Sequence, residues 1–133
     1  MSHKASLTLS AVLTTLAFSA PTSAAEALNG TQLTALFSGK TVEAFHEQKK
    51  TKQTTYFSPE GRLVQANEGG EIQKGTWRVD AAAGSQCIQW EGDKENCSKV
   101  MPEANGSYKR LIDGKPVVTI SKIVPGNPKN LKP

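Results

Sequence analysis

Hydrophobic and polar positions follow two different rules along this chain. Before residue 26 the apolar residues run almost uninterrupted by charge; after it they come in short alternating stretches broken by turn residues. Stretches rich in Val, Ile, Thr, Tyr and Trp recur at roughly 8–12-residue spacing, the pattern of an antiparallel β domain. The spacing predicts eight strands, over 41–46, 53–57, 62–66, 72–79, 86–90, 97–101, 107–112 and 116–124. One short helix precedes them, over 32–37, with Asn29-Gly30-Thr31 as its cap and Ser38-Gly39 as its stop.

The turn residues support this reading. Ser58-Pro59-Glu60-Gly61 supplies a fixed φ at Pro and a permissive backbone at Gly, and Asn67-Glu68-Gly69-Gly70, Asn105-Gly106 and Asp113-Gly114 are hairpin signals. Consecutive hairpins make a meander. Eight strongly twisted strands left open would expose two edges, so closure into a small up-and-down barrel is expected, with the helix plugging or flanking one end. The alternative is a two-layer β-sandwich. Period-two alternation puts Gly75, Trp77 and Val79 on one face of their strand, with Trp77 inward.

The two cysteines, Cys87 and Cys97, flank the turn Glu91-Gly92-Asp93-Lys94. Pairing Trp90 with Lys94 across a three-residue loop brings Gln89 opposite Glu95, Ile88 opposite Asn96 and Cys87 opposite Cys97, within bonding reach. A disulfide is expected, worth about 2–3 kcal/mol in the chain-entropy account. It would lie on the face opposite Ile88, Trp90, Ser98 and Val100. A redox or metal pair is disfavoured by the wide spacing and by the lack of a nearby histidine.

The leading segment changes the picture of where this domain works. Lys4 precedes an uncharged run over 5–25 that carries Leu7, Leu9, Val12, Leu13, Leu16 and Phe18 and ends in Pro21-Thr22-Ser23-Ala24-Ala25. This is the grammar of a bacterial signal peptide, with cleavage expected after Ala25 or Ala27. The run is diluted by Ser and Thr and falls short of the roughly 20 apolar residues a membrane span needs, and no Cys follows to take a lipid anchor. The reading is a signal peptide over 1–25 and one β-barrel domain over 26–133, periplasmic or secreted, with no transmembrane anchor after processing. Removing residues 1–25 takes Lys4 away, so the net charge of +4 over 133 residues becomes +3 over 108. That charge is too small for a nucleic-acid footprint.

The ordered set Tyr56-Phe57-x-Pro59-x-Gly61-Arg62, Gly75-x-Trp77-x-Val79, Cys87-x-x-Trp90 and Cys97, then Pro125-Gly126-Asn127, resembles a family of small exported alphaproteobacterial proteins of unknown function. The resemblance covers most of residues 30 to 127 and implies location and fold; it brings no catalytic residues. The architecture is also similar to eight-stranded periplasmic inhibitors of proteases and lysozymes that carry one disulfide, an analogy of fold only.

Candidate chemistry is sparse. Glu43, His46 and Glu47 have metal-ligand side chains, but on a strand the two carboxylates take one face and the imidazole the other, so no metal is expected. His3 leaves with the leader, and both sulfurs are committed to the staple, so a catalytic triad would have to rest on His46 and no enzymatic activity is expected. Lys49, Lys50 and Lys52 form a basic loop, either a solvated hairpin or a handle for an envelope protein, an anionic polymer or a lipid surface. Tyr56, Trp77, Trp90 and Tyr108, with Phe57, either fill the core or line a barrel mouth that holds an apolar ligand. Asn29-Gly30-Thr31, Asn96-Cys97-Ser98 and Asn105-Gly106-Ser107 match the glycosylation pattern, which in a chain with a bacterial-style leader is a chance match or turn chemistry. The sequence therefore predicts a monomeric, non-enzymatic binding protein that needs no cofactor and contacts an envelope macromolecule, in its sharpest form a hydrolase inhibitor. A small apolar-ligand carrier and a purely structural surface protein are the alternatives.

Overall fold

The computed structural model describes residues 26–133, so the expected signal peptide lies outside the described residues. Eight antiparallel strands follow one helix: α1 Gly30–Phe37, β1 Lys40–His46, β2 Thr51–Phe57, β3 Arg62–Asn67, β4 Ile72–Asp80, β5 Ser85–Trp90, β6 Asn96–Pro102, β7 Tyr108–Ile112 and β8 Lys115–Pro125. Each strand pairs with its sequence neighbours, and β1 also pairs with β8 from Lys40↔Pro125 to His46↔Val118, which closes the sheet into a barrel. Closure excludes the sandwich, because no strand is left with an unpaired edge.

The turns form as their residues demand. Asp113 and Gly114 both take positive φ, 51° and 75°, between the paired Ile112 and Lys115, the twist of a two-residue hairpin turn. Gly75 answers a different need. A Cβ there would collide with the backbone of Gln89 and Trp90, so its absence lets β5 lie close against β4.

The helix closes one end of the barrel. Asn29 Oδ1 accepts from the Gln32 N–H while Gln32 Oε1 accepts from the Asn29 N–H, a reciprocal capping box with both distances 2.9 Å. Leu33 and Phe37 point into the barrel and are fully buried. There Phe37 meets Phe57 at a ring separation of 5.2 Å, and Phe57 meets Trp77 edge-on at 5.4 Å. Val42, Leu63, Val100 and Ile120 complete this apolar floor. Among the described residues no helix is long and apolar enough to cross a membrane.

Cys87 and Cys97 face each other in the β5–β6 ladder and are joined by a disulfide. The expected register holds at Cys87↔Cys97 and Ile88↔Asn96 but stops there. Instead of pairing Trp90 with Lys94, the turn tightens so that the Asp93 N–H donates to the Trp90 carbonyl, 3.0 Å. Beyond β8 the chain is irregular but tied down: Thr41 Oγ1 donates to the Gly126 carbonyl at 2.7 Å, and Asn127 exchanges two bonds with the Leu131 backbone.

Candidate binding cavity

At the end opposite the helix the barrel is open. Alternation along the strands sends Gln53 of β2, Gln65 of β3, Gln73 of β4, Ile88 and Trp90 of β5, Ser98 of β6, Arg110 of β7, Val118 of β8 and His46 of β1 into the lumen. They enclose a cavity of about 300 Å³, with Lys49 and Asp93 from the surrounding turns at its mouth. Its size lies at the lower end of the roughly 300–1,000 Å³ common for small-ligand pockets. Ile88, Ile112, Val117 and Val118 add apolar wall, so the cavity is amphipathic, whereas the floor beneath it is dominated by apolar side chains.

One wall of the cavity is a closed hydrogen-bond ladder. Thr55 Oγ1 donates to Gln65 Oε1 at 2.9 Å, and the Gln65 amide nitrogen donates to Asn67 Oδ1 at 3.0 Å and to Gln73 Oε1 at 3.4 Å. Gln65 is 6% exposed, and these bonds satisfy it.

The opposite wall is not closed. Arg110 Nη2 donates to Gln86 Oε1 at 2.6 Å, and the guanidinium lies over the Phe37 ring, 5.7 Å from its centroid. Arg110 Nε and Gln86 Nε2 are both buried donors without a partner. No carboxylate among the described residues lies within ion-pair distance of Arg110; the pairs present are Arg78–Glu95 and Lys109–Glu47. Burial pulls the guanidinium down to about 10, which still leaves it a cation at neutral pH.

His46 reaches the cavity from the end of β1. Its Nδ1 accepts the Lys49 backbone N–H at 3.1 Å, which fixes the ring with that nitrogen unprotonated. Burial, then the Lys49 charge, hold its pKa below the ordinary 6.5, against an opposing pull from Glu47. Glu43 and Glu47 lie away from it. Glu43 lines a depression on the outer wall, and Glu47 accepts from Thr119 Oγ1 at 2.5 Å and pairs with Lys109. The metal-ligating residue types that do cluster are Cys87, Glu95 and Cys97, whose sulfurs are bonded to each other.

The aromatic residues singled out from the sequence do not share one site. Trp90 lines the cavity. Trp77 is buried in the floor, its Nε1 donating to the Ser58 carbonyl at 2.9 Å. Tyr56 alternates with the buried Thr55 and Phe57 and so faces outward, opposite Thr41 and Val64. Tyr108 sits beside a groove between α1 and β8 at the helix end. The expected aromatic mouth is thus a single tryptophan, because Trp77 is consumed by packing and the tyrosines fall elsewhere. The lysines separate too. Lys49 is at the mouth, Lys50 is on the turn with φ 53°, and Lys52 lies on the outer wall with its backbone N–H donating to Glu68.

Arg110, Gln65 and Gln73 were missed in the sequence. Their signal was phase: Arg110 shares its strand face with Tyr108 and Ile112, and Gln53 with Thr55 and Phe57, and these faces close on the lumen.

No family model, curated protein or solved structure matches this chain. Its chemistry is therefore argued from the cavity itself. The Ser98 hydroxyl donates to the Gln86 carbonyl, and the His46 Nδ1 accepts the Lys49 backbone N–H. The arrangement offers shape, hydrogen-bond donors and a fixed positive charge.

Proposed function

We propose that this protein is a non-enzymatic binding protein of the cell envelope or secreted space that holds a small ligand in the open half of its barrel. The observation that carries the reading is the cavity of about 300 Å³, open at one end and lined by Arg110, whose buried Nε no group among the described residues satisfies. A filled lumen would have spent that donor internally, as the Thr55–Gln65–Gln73 wall does. The amphipathic lining favours a ligand with a polar group and a modest apolar body over the wholly apolar one expected from the aromatic content. The export signal read at residues 4 to 25 and the resemblance to exported proteins support the location.

Contact with an envelope macromolecule through the turns at the mouth has less support. The lysines of the β1–β2 turn face a rim of mixed sign, with Glu68, Glu71, Glu91, Asp93 and Asp113 on the neighbouring turns, so no continuous basic surface extends from them.

Native mass spectrometry of the oxidised chain, gently extracted from its own envelope fraction, tests the proposal. The expected result is an added small mass that disappears in Gln53→Trp, which fills the cavity from its wall. A bare wild-type chain whose Trp90 emission is unmoved by a panel of small polar and amphipathic compounds would overturn it. A stoichiometric protein complex instead would favour the macromolecular reading.

A further inference from the structure

The unpaired wall of the cavity differs from the rest of the lumen in one respect: its donors and its charge are in excess. Arg110, on the lining, brings a full positive charge, and Gln86, fully buried and outside the lining, backs it with a spare amide N–H₂. The 2.6 Å bond between them uses up the Gln86 oxygen, the acceptor of the pair. Arg110 is half-buried with its Nε shut off from solvent, and a guanidinium so placed is destabilising unless an anion or a set of acceptors answers it. The Phe37 ring face offers partial compensation from below. On the cavity side the groups of opposite or like sign are Asp93 and Lys49 at the mouth, and neither is within ion-pair distance of the guanidinium.

Resting on the reading of the lumen as a ligand site, we infer that Arg110 is an anion anchor and that the ligand is a small monocarboxylate whose apolar body lies against Ile88, Trp90 and Val118. Three observations select this class. The guanidinium is a planar fork that matches a carboxylate, and such charge-assisted bonds are among the strongest a protein makes. This wall carries one positive charge, Arg110, which a monoanion balances and a phosphate dianion would overshoot. The remaining lining is part apolar, which inorganic anions cannot use. Gln86 is a positioning residue: its oxygen holds Arg110 Nη2 and so orients the fork.

The experiment compares benzoate with its neutral analogue benzamide and with inorganic phosphate, reading Trp90 fluorescence and the thermal midpoint of the oxidised 26–133 chain at low salt. Benzoate is expected to bind, with benzamide weaker by roughly tenfold or more, the usual scale for losing one charge-assisted interaction. Phosphate is expected to leave Trp90 unmoved. In Arg110→Gln the preference for benzoate over benzamide should vanish, and Trp90→Phe should abolish the fluorescence response. Equal binding of benzoate and benzamide to the wild-type chain would overturn the anion anchor while leaving the lumen as the site. Phosphate binding more tightly than benzoate would overturn the carboxylate assignment. No response to any of the three, together with a bare chain in native mass spectra, would overturn both readings. The wild-type comparison stands even if the arginine variant fails to fold.

Discussion

His46 and Gly75 show how much a single residue can carry in this barrel. The folded protein holds His46 neutral by burial, by the nearby Lys49 charge and by the backbone N–H that its Nδ1 accepts. Its pKa is therefore lower in the folded state than in the unfolded chain, so its contribution to stability is full above the ordinary 6.5 and is lost as pH falls through the folded value. Denaturant midpoints measured from about pH 7 down to about pH 5 are expected to decline for the wild-type chain and to stay flatter for His46→Gln. Parallel profiles for the two would show that His46 is not the group responsible. Glu47 and Glu95 are also lowered, by their bonds to Thr119 and Arg78, so their losses begin only below the ordinary 4.5 and stay separable from the histidine window. Gly75→Ala addresses sterics instead of charge. The new methyl would meet the Gln89 and Trp90 backbone, so a loss of about 1–3 kcal/mol is expected in urea unfolding, the cost of overpacking. An unchanged midpoint would mean that β4 and β5 part easily there.

At the scale of elements, the helix is the piece whose role is least like that of a strand. Eight residues of helix are too few to be stable alone; α1 persists because a capping box holds its start and its apolar side is buried in the barrel. Phe37 is the contact that matters most, since it touches Phe57 on one side and supports Arg110 on the other. Phe37→Ala should lower stability by about 3–5 kcal/mol in chemical denaturation. It should also weaken any ligand preference that depends on Arg110. A loss below about 1 kcal/mol would mean that the barrel end closes without the helix. The strands themselves were legible beforehand to within a residue or two at most ends, because period-two alternation and Gly-containing turns are local signals. The disulfide was legible for the same reason, through the register of one hairpin. Two features were not: the register shifts at Glu43/Ala44 and at Arg110/Leu111. The first lies in the β1–β8 closing pair, which no hairpin contains; the second lies inside the β7–β8 hairpin, where Val117 is an extra residue between the partners of Arg110 and Leu111.

At the scale of the whole molecule, closure decides which residues meet, and this is where the sequence was hardest to read for function. Grouping Tyr56, Trp77, Trp90 and Tyr108 by their aromatic character left core and barrel mouth as alternatives for all of them together, whereas four separate locations are found. Grouping by phase would have put Gln53, Gln73, Trp90 and Arg110 on the lumen face. Which of the lumen residues belong to the plugged half and which to the open half still depends on strand tilt and on where the helix docks. The sequence carries the barrel; the cavity emerges only when strands distant in the chain are brought around to face each other.

An even number of strands has one more consequence. The chain enters β1 at Lys40 and leaves β8 at Pro125, and these two residues are paired neighbours at the helix end. Four short turns surround the opposite opening, and Pro133 reaches the outer wall beside Glu91 and Gly92 of one of them. The barrel can therefore be held by the segment that enters β1 without covering its opening. Fixed that way to a bead, a fusion partner or a surface, it would stand like a cup on its base, with every molecule that reaches it arriving from the free side.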